Sequence, residues 1–332
     1  MKRSLDYLVY VLVRIVLAVV QAVPMSACQR LADPLAWFCC RLRVRHQVIE
    51  DNLRHAFPDM PEHQRRRIER AHWRHLVLMI FEMAHADRLI RDTNWRRYVR
   101  LHELRPMVRQ LLITRPAVVV AGHFGNFEIS ARMLGLFGFS TFAVARPLDN
   151  PFLDRWLNRF RGRFGQFILP KKGSANDADA RLAAGGVLAV LGDQSAGPKG
   201  CFVEFFGRPA STHKAIAVMA LAHQAPLMVT YARRSGEPLQ FEIGCPAIAD
   251  PCQNEPETAG VRELTQWYSQ QLETIVRRDP EQYWWVHRRW KDQPKKKAVD
   301  CRLEAGGRQH PAPHFPTAPS SPSRENFRVE VL

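Results

Sequence analysis

At 332 residues the chain is long enough to bury a full core, and its balance of 46% hydrophobic to 24% charged residues excludes a disordered or fibrous polymer. A net charge of +16 calls for anionic partners: lipid headgroups, nucleic acid or an acidic carrier protein. The seven cysteines, Cys28, Cys39, Cys40, Cys201, Cys245, Cys252 and Cys301, are odd in number and lack metal-ligand spacing. That argues against a zinc ribbon or a disulfide framework and predicts reduced, mostly buried thiols in a cytosolic compartment.

Residues 5–23 form an apolar run opened by Asp6 and interrupted by Arg14. Its length approaches the ~20 residues needed to cross a bilayer, so 1–25 is expected to be a membrane-anchoring helix, spanning the membrane or lying on it. Met25-Ser26-Ala27-Cys28 faintly resembles a lipoprotein signal, but Arg14 inside the apolar run and Met25 before Ser26 count against it. Residues 41–115 hold 17 arginines, no lysine and 9 acidic residues, a net of +8. The spacing of Ile68, Ala71, Leu76, Met79, Ile80 and Met83 predicts a helix over 61–90 with those residues as its apolar face. Arg65, Arg66 and Arg67 fall on its polar face, solvated or docked on anionic lipid. The segment 26–115 is therefore expected to be a basic helical layer packed on the domain that follows.

From residue 116 short apolar runs alternate with helical segments. Strands are predicted at 117–121, 140–145, 166–169, 187–191, 227–232 and 240–243, and helices at 126–137, 151–161, 175–184, 211–223 and 257–278. That alternation predicts an α/β layer with a largely parallel sheet over 116–291. Residues 292–332 are rich in Pro, Ser and basic residues and poor in large apolar ones, which predicts a disordered tail.

The candidate chemistry gathers at strand ends. His123 ends the first predicted strand and Glu128 opens the next helix. On one continuous helix they would lie about 140° apart at ~100° per residue, so they meet only if Gly122, Gly125 and the N-cap residue Asn126 turn the chain between them. A carboxylate on one imidazole nitrogen frees the other as a general base. A buried histidine satisfied by its neighbour is the bland alternative; a place at the mouth of an α/β sheet, where ligands bind, favours the functional one. Arg146, in Arg146-Pro147-Leu148-Asp149-Asn150-Pro151, and Arg161 follow a strand and end a helix, and either suits a phosphate or an oxyanion. Asp193 and Gln194 follow the strand at 187–191 and should share the sheet edge with His123. The loop from Gly192 to Gly200 departs from a phosphate loop at Pro198 and Gly200, which disfavours a nucleoside triphosphate site. A Gly-x-Ser-x-Gly elbow is absent, which disfavours an α/β-hydrolase; no nucleophile is evident, no third ligand accompanies His123 and Glu128, and no metal or cofactor is expected.

His-x-x-x-x-Glu, Arg-Pro-x-Asp-Asn-Pro, Asp193-Gln194, the run Phe202-Val203-Glu204-Phe205-Phe206-Gly207-Arg208-Pro209-Ala210-Ser211-Thr212 and the ending Glu281-Gln282-Tyr283-Trp284-Trp285-Val286-His287-Arg288-Arg289-Trp290-Lys291 occur in one order. Together they resemble the bacterial late (lauroyl/myristoyl) lipid A biosynthesis acyltransferases over residues 5–291, within the lysophospholipid acyltransferase-like superfamily. The resemblance implies a glycerol-3-phosphate-acyltransferase-like fold: a mixed, largely parallel sheet flanked by helices, with an N-terminal membrane helix and the catalytic domain on the cytoplasmic face of the inner membrane. It implies transfer of a fatty acyl chain from acyl carrier protein, or from acyl-CoA, to a hydroxyl of a lipid A precursor. His123 matches the general base, Glu128 its partner, and Arg161 and Asp193 further catalytic positions; Arg146, Asn126 and Gln194 are the substrate-binding candidates. His-Phe-Gly-Asn-Phe-Glu also occurs in relatives that acylate phosphatidylinositol mannosides, so another membrane lipid, including a lysophospholipid, is the alternative acceptor. Nucleic acid is not an expected partner, because no RNA-binding signature accompanies the charge.

Overall fold

The computed structural model describes residues 2–113, 115–170 and 174–294. Most of the expected tail, from residue 295 on, lies outside them, as does Cys301; the other six cysteines are free thiols.

The chain begins with α1 (Lys2–Ala22), α2 (Met25–Arg41), α3 (His46–Ala56) and α4 (Glu62–Leu89), then β1 (Val99–His102) and α5 (Arg105–Leu112). β2 (Ala117–Gly125), α6 (Phe127–Leu136), β3 (Thr141–Ala145), α7 (Pro151–Gly162), β4 (Gln166–Pro170), α8 (Ser174–Ala183) and β5 (Val187–Leu191) follow. A hairpin of β6 (Cys201–Phe205) and β7 (Arg208–Thr212) precedes α9 (Ala215–Ala222), β8 (Leu227–Arg234), β9 (Phe241–Ala249) and α10 (Val261–Arg278). Seven strands form one sheet in the order β1-β9-β8-β2-β5-β3-β4, and every adjacent pair is parallel except β8 with β9.

β2 lies at the centre because it is apolar on both faces. Val118 and Val120 point into one buried cluster with Ile216, Tyr268 and Leu272, and Ala117 and Val119 into another with Met107 and Met228. A strand buried on both sides reads as a continuous apolar run, which is why it and its neighbours are legible as strands. All six expected strands form, and the mixed, largely parallel sheet flanked by helices matches the expected class.

Two expectations are corrected. The helix expected over 211–223 begins at Ala215, because Ser211 and Thr212 belong to β7. In α4 the buried face is mixed rather than apolar: Met79 is buried as expected, with Leu78 and Phe81, but Glu69, His72, His75, Glu82 and His85 are buried beside them, and Ile80 is 56% exposed. The polar groups turn inward because most find partners there. Glu69 accepts from His46 Nδ1 at 2.9 Å, His85 Nε2 meets the Val23 carbonyl at 3.0 Å, and Glu82 pairs with Arg234.

α1 is long and apolar enough to cross a membrane, and none of its residues is buried. It leans on α7 through Tyr7 and Tyr10 against Phe152. Arg14, the charge within its apolar run, donates to Tyr10 Oη at 3.0 Å and lies over the Trp156 ring. Between α2 and α3 the chain turns through Arg43 (φ 53°) and Arg45 (φ 54°). Two left-handed non-glycine residues so close together cost roughly 1–2 kcal/mol each.

Candidate active site

β2 and β5 run parallel and in register, with Ala121 beside Leu191. Two residues beyond that pair are His123 and Asp193, so the register alone sets them side by side. The Asp193 carboxylate grips His123 twice: Oδ2 accepts from the backbone N–H at 2.7 Å and Oδ1 faces ring Nδ1 at 2.7 Å. An ionised carboxylate only accepts, so Nδ1 carries the proton and Nε2 presents its lone pair. Gln194 Nε2 sits 3.0 Å from that Nε2 and donates to it.

Asp193 is completely enclosed, and burial pushes its carboxyl up. The charge and hydrogen bonds of His123 and the charge of Arg289 outweigh burial and hold it below the ordinary carboxylate range. Arg289 is itself buried, donating to the Ser211 carbonyl at 2.6 Å and to Thr212 Oγ1 at 2.7 Å. The hairpin thus fixes the cation that stands behind Asp193.

The imidazole is walled by rings. Phe127 meets it edge-on with centroids 5.1 Å apart, Trp284 lies 5.0 Å away and His287 stacks at 6.0 Å. Trp284 N–H donates to the His123 carbonyl at 3.0 Å, which staples the segment after Pro280–Gln282 to the end of β2. Burial and the charge of His123 push His287 below the usual histidine value, so it stays neutral beside the base.

The turn after His123 admits no side chain at one point. Gly125 has φ +58°, and a Cβ there would lie 2.0 Å from the Ala232 carbonyl oxygen. Asn126 caps α6, accepting from Ile129 N–H at 3.4 Å, and its amide donates to Glu82 at 3.1 Å. Glu82 is also clamped by Arg234 Nε at 2.6 Å and Nη2 at 2.7 Å. Arg234 reaches His75, whose other nitrogen meets the Gly125 carbonyl at 3.2 Å. A buried Glu82–Arg234–His75 network therefore holds the turn from below.

The expected residues divide accordingly. His123, Asp193 and Gln194 come together. Glu128 does not join His123: both its oxygens face Arg161, at 3.2 Å to Nε and closer to Nη2. The turn presents Glu128 to α7, while the parallel register gives Nδ1 to Asp193. Asn126, expected to bind substrate, is fully buried with both ends of its amide engaged, so it builds the turn instead. Arg146 stands exposed with Asp149 at 3.1 Å and meets none of the other site residues. Trp284, His287, Arg289, Glu82, His75 and Arg234 were not expected; the dense Trp, His and Arg ending was the one sequence signal for the first three.

Among the described residues no group of His, Cys, Asp and Glu is arranged to hold a metal. A histidine base held by a buried carboxylate at a strand end is an arrangement for proton transfer to and from a hydroxyl.

The model of the family described as "Bacterial lipid A biosynthesis acyltransferase" matches residues 1–292. The lipid A biosynthesis lauroyltransferase of Escherichia coli is 28% identical over 84% of this chain and 90% of its own length. A lipid A biosynthesis acyltransferase of Haemophilus influenzae is 26% identical over 82% and 87%. The crystal structure of the 1-acyl-sn-glycerophosphate acyltransferase PlsC from Thermotoga maritima aligns with 77% of this chain and 97% of that one, at 14% identity and a TM-score of 0.39. With the family model covering nearly every described residue, the chain belongs to the bacterial lipid A biosynthesis acyltransferases.

Proposed function

We propose that this acyltransferase moves a fatty acyl chain from the thioester of an acyl carrier protein, or of CoA, to a hydroxyl of a lipid A precursor, with His123 as general base. One observation carries the reading: His123 has its Nδ1 on buried Asp193 and its Nε2 facing a replaceable amide at 3.0 Å. The acceptor hydroxyl takes the place of Gln194 and gives its proton to Nε2. The resulting alkoxide attacks the thioester carbon. The tetrahedral intermediate collapses, and the departing thiolate takes the proton back from Nε2. Asp193 remains ionised and steadies the imidazolium between the two transfers. Arg161, held by Glu128, supplies the cation for the oxyanion. In this reading Glu128 orients the arginine, and no acyl-enzyme forms.

The basic chain suits both an acidic carrier protein and an anionic membrane surface. The unburied apolar α1 supports a membrane anchor, and in this reading it sits in the inner membrane with the catalytic domain on the cytoplasmic side. The test is acyl transfer to a lipid A precursor from acyl carrier protein and from CoA thioesters. His123→Ala is expected to lower kcat by about 10²- to 10⁴-fold. Near wild-type turnover by that variant would exclude His123 as the base, and mass spectrometry of lipids from a deletion strain names the acceptor by the species that disappears.

A further inference from the structure

Beside the active site lies an open pocket of about 500 Å³, lined by Arg43, Arg45, His46, Gln47, Val48 and Arg288. Its size is that of a small-molecule site. Three of its six lining residues are arginines, and none of the three has a carboxylate partner among the described residues. Two acids of α3 and α4 are engaged elsewhere than with these arginines: Glu69 with His46 at 2.9 Å and Glu50 with Arg65 at 2.9 Å. The pocket therefore gathers three arginines that make no ion pair among the described residues.

Its position ties it to the reaction. Arg288 follows His287, whose ring stacks on His123. Arg45 is close enough to His287 for its charge to weigh against protonation of that ring. Asn52, one helix turn and more into α3, donates to the carbonyls of Trp285 and His287 at 2.6 Å each, so the pocket and the catalytic wall are stitched together.

The surroundings select the ligand. The arginines alternate with exposed Leu42 and Val44, and α2 continues that strip through exposed Trp37 and Phe38. Apolar surface leading into a cluster of arginines fits an amphiphile: hydrocarbon along the strip, a phosphate ester in the pocket. We propose that Arg43, Arg45 and Arg288 bind a phosphate ester on the headgroup of the lipid acceptor and thereby place its hydroxyl at His123. This rests on the reading that the acceptor is a membrane lipid. A donor arm also carries a phosphodiester, but nothing soluble needs the exposed Trp37–Phe38 strip, so the acceptor is the assignment.

The experiment measures transfer by the full chain with the phosphorylated lipid acceptor and with the same acceptor after enzymatic removal of its phosphate. Removing each charge-assisted contact, in Arg45→Gln and Arg288→Gln, is expected to raise KM for the phosphorylated acceptor by about ten- to a hundredfold while kcat stays within about twofold and KM for the dephosphorylated acceptor does not move. Arg262→Gln, an exposed charge on α10, controls for net charge and should change neither KM. Equal shifts on both acceptors, or none, would overturn the pocket while wild-type turnover leaves the acyltransferase reading standing. A rise in donor KM alone would overturn the assignment to the acceptor. Should the wild type fail to transfer at all, the functional reading falls and the pocket is judged by binding to phosphatidylcholine vesicles with and without phosphatidic acid. Weaker binding of the variants to the phosphatidic acid vesicles supports it; binding equal to wild type overturns it.

Discussion

Arg234 and Arg288 carry the same guanidinium, and the fold treats them in opposite ways. Arg234 is buried, with Glu82 accepting from Nε and Nη2 and His75 facing Nη1, so that its donors are matched. Arg288 is exposed on the rim of a pocket with two other arginines and no carboxylate. The difference separates charge that builds from charge that binds. A desolvated cation is tolerable only when its partners are already in place, and it then fixes the backbone around it. An unpartnered cation at the surface costs little and keeps its donors for a ligand. His123 and Asp193 stand between the two: one end of the imidazole is buried and bound, the other faces the cleft.

The sharpest way to break this comparison is to remove the buried partner. Glu82→Ala leaves Arg234 enclosed without its counter-ion and frees Asn126, so a loss of about 3–5 kcal/mol is expected in denaturant unfolding. Glu82→Gln keeps the shape and part of the hydrogen bonding, and should lose less. A change below about 1 kcal/mol for the alanine variant would mean that Arg234 is hydrated rather than held by Glu82.

The next largest effect concerns the middle case. Asp193→Asn keeps the shape but no longer fixes the proton on Nδ1, and kcat should fall about a hundredfold. The same variant tests a pH dependence. A carboxyl whose folded value lies below its unfolded value of ~3.9 stabilises the fold above that pH, and the contribution is lost as pH falls below it toward the folded value. Stability of the wild type should therefore decline through the acid range below about pH 4, and the asparagine variant should decline less steeply there. Parallel acid limbs for the two proteins would remove Asp193 from that account.

How much of this was legible in the sequence follows the same division between local and distant causes. The strands at 117–121, 187–191 and 227–232 were readable as apolar runs, and 240–243 as an alternation of polar and apolar residues. β1 was not, since only Val99 of its four residues is buried. The hairpin was hidden by Arg208-Pro209 and by Ser211-Thr212, which read as a helix start. His123, Asp193 and Gln194 were readable as strand-end residues, but their pairing depends on the β2–β5 register across 70 positions. Nearness in sequence points Glu128 to His123, but its partner is Arg161, 33 residues on. The polar residues on the buried face of α4 are not legible from apolar spacing, which marks only Met79 and its apolar neighbours. Glu69, His72, His75 and Glu82 follow helical spacing equally well, and partners elsewhere in the chain decide which stripe turns inward.

Arg146 offers the smallest effect and the finest test. It follows β3 at a position that suggested ligand binding, yet it is strongly exposed and already has a partner in Asp149, itself almost fully exposed. An arginine that is neither enclosed by a network nor gathered with other unpartnered arginines should neither build nor bind. Arg146→Ala is therefore expected to leave stability within about 0.5 kcal/mol and KM for either substrate within about twofold. A KM shift as large as that expected for Arg45→Gln would show that a surface ion pair opens on substrate binding. In that case the absence of a carboxylate partner in the resting structure would no longer distinguish binding arginines from the rest.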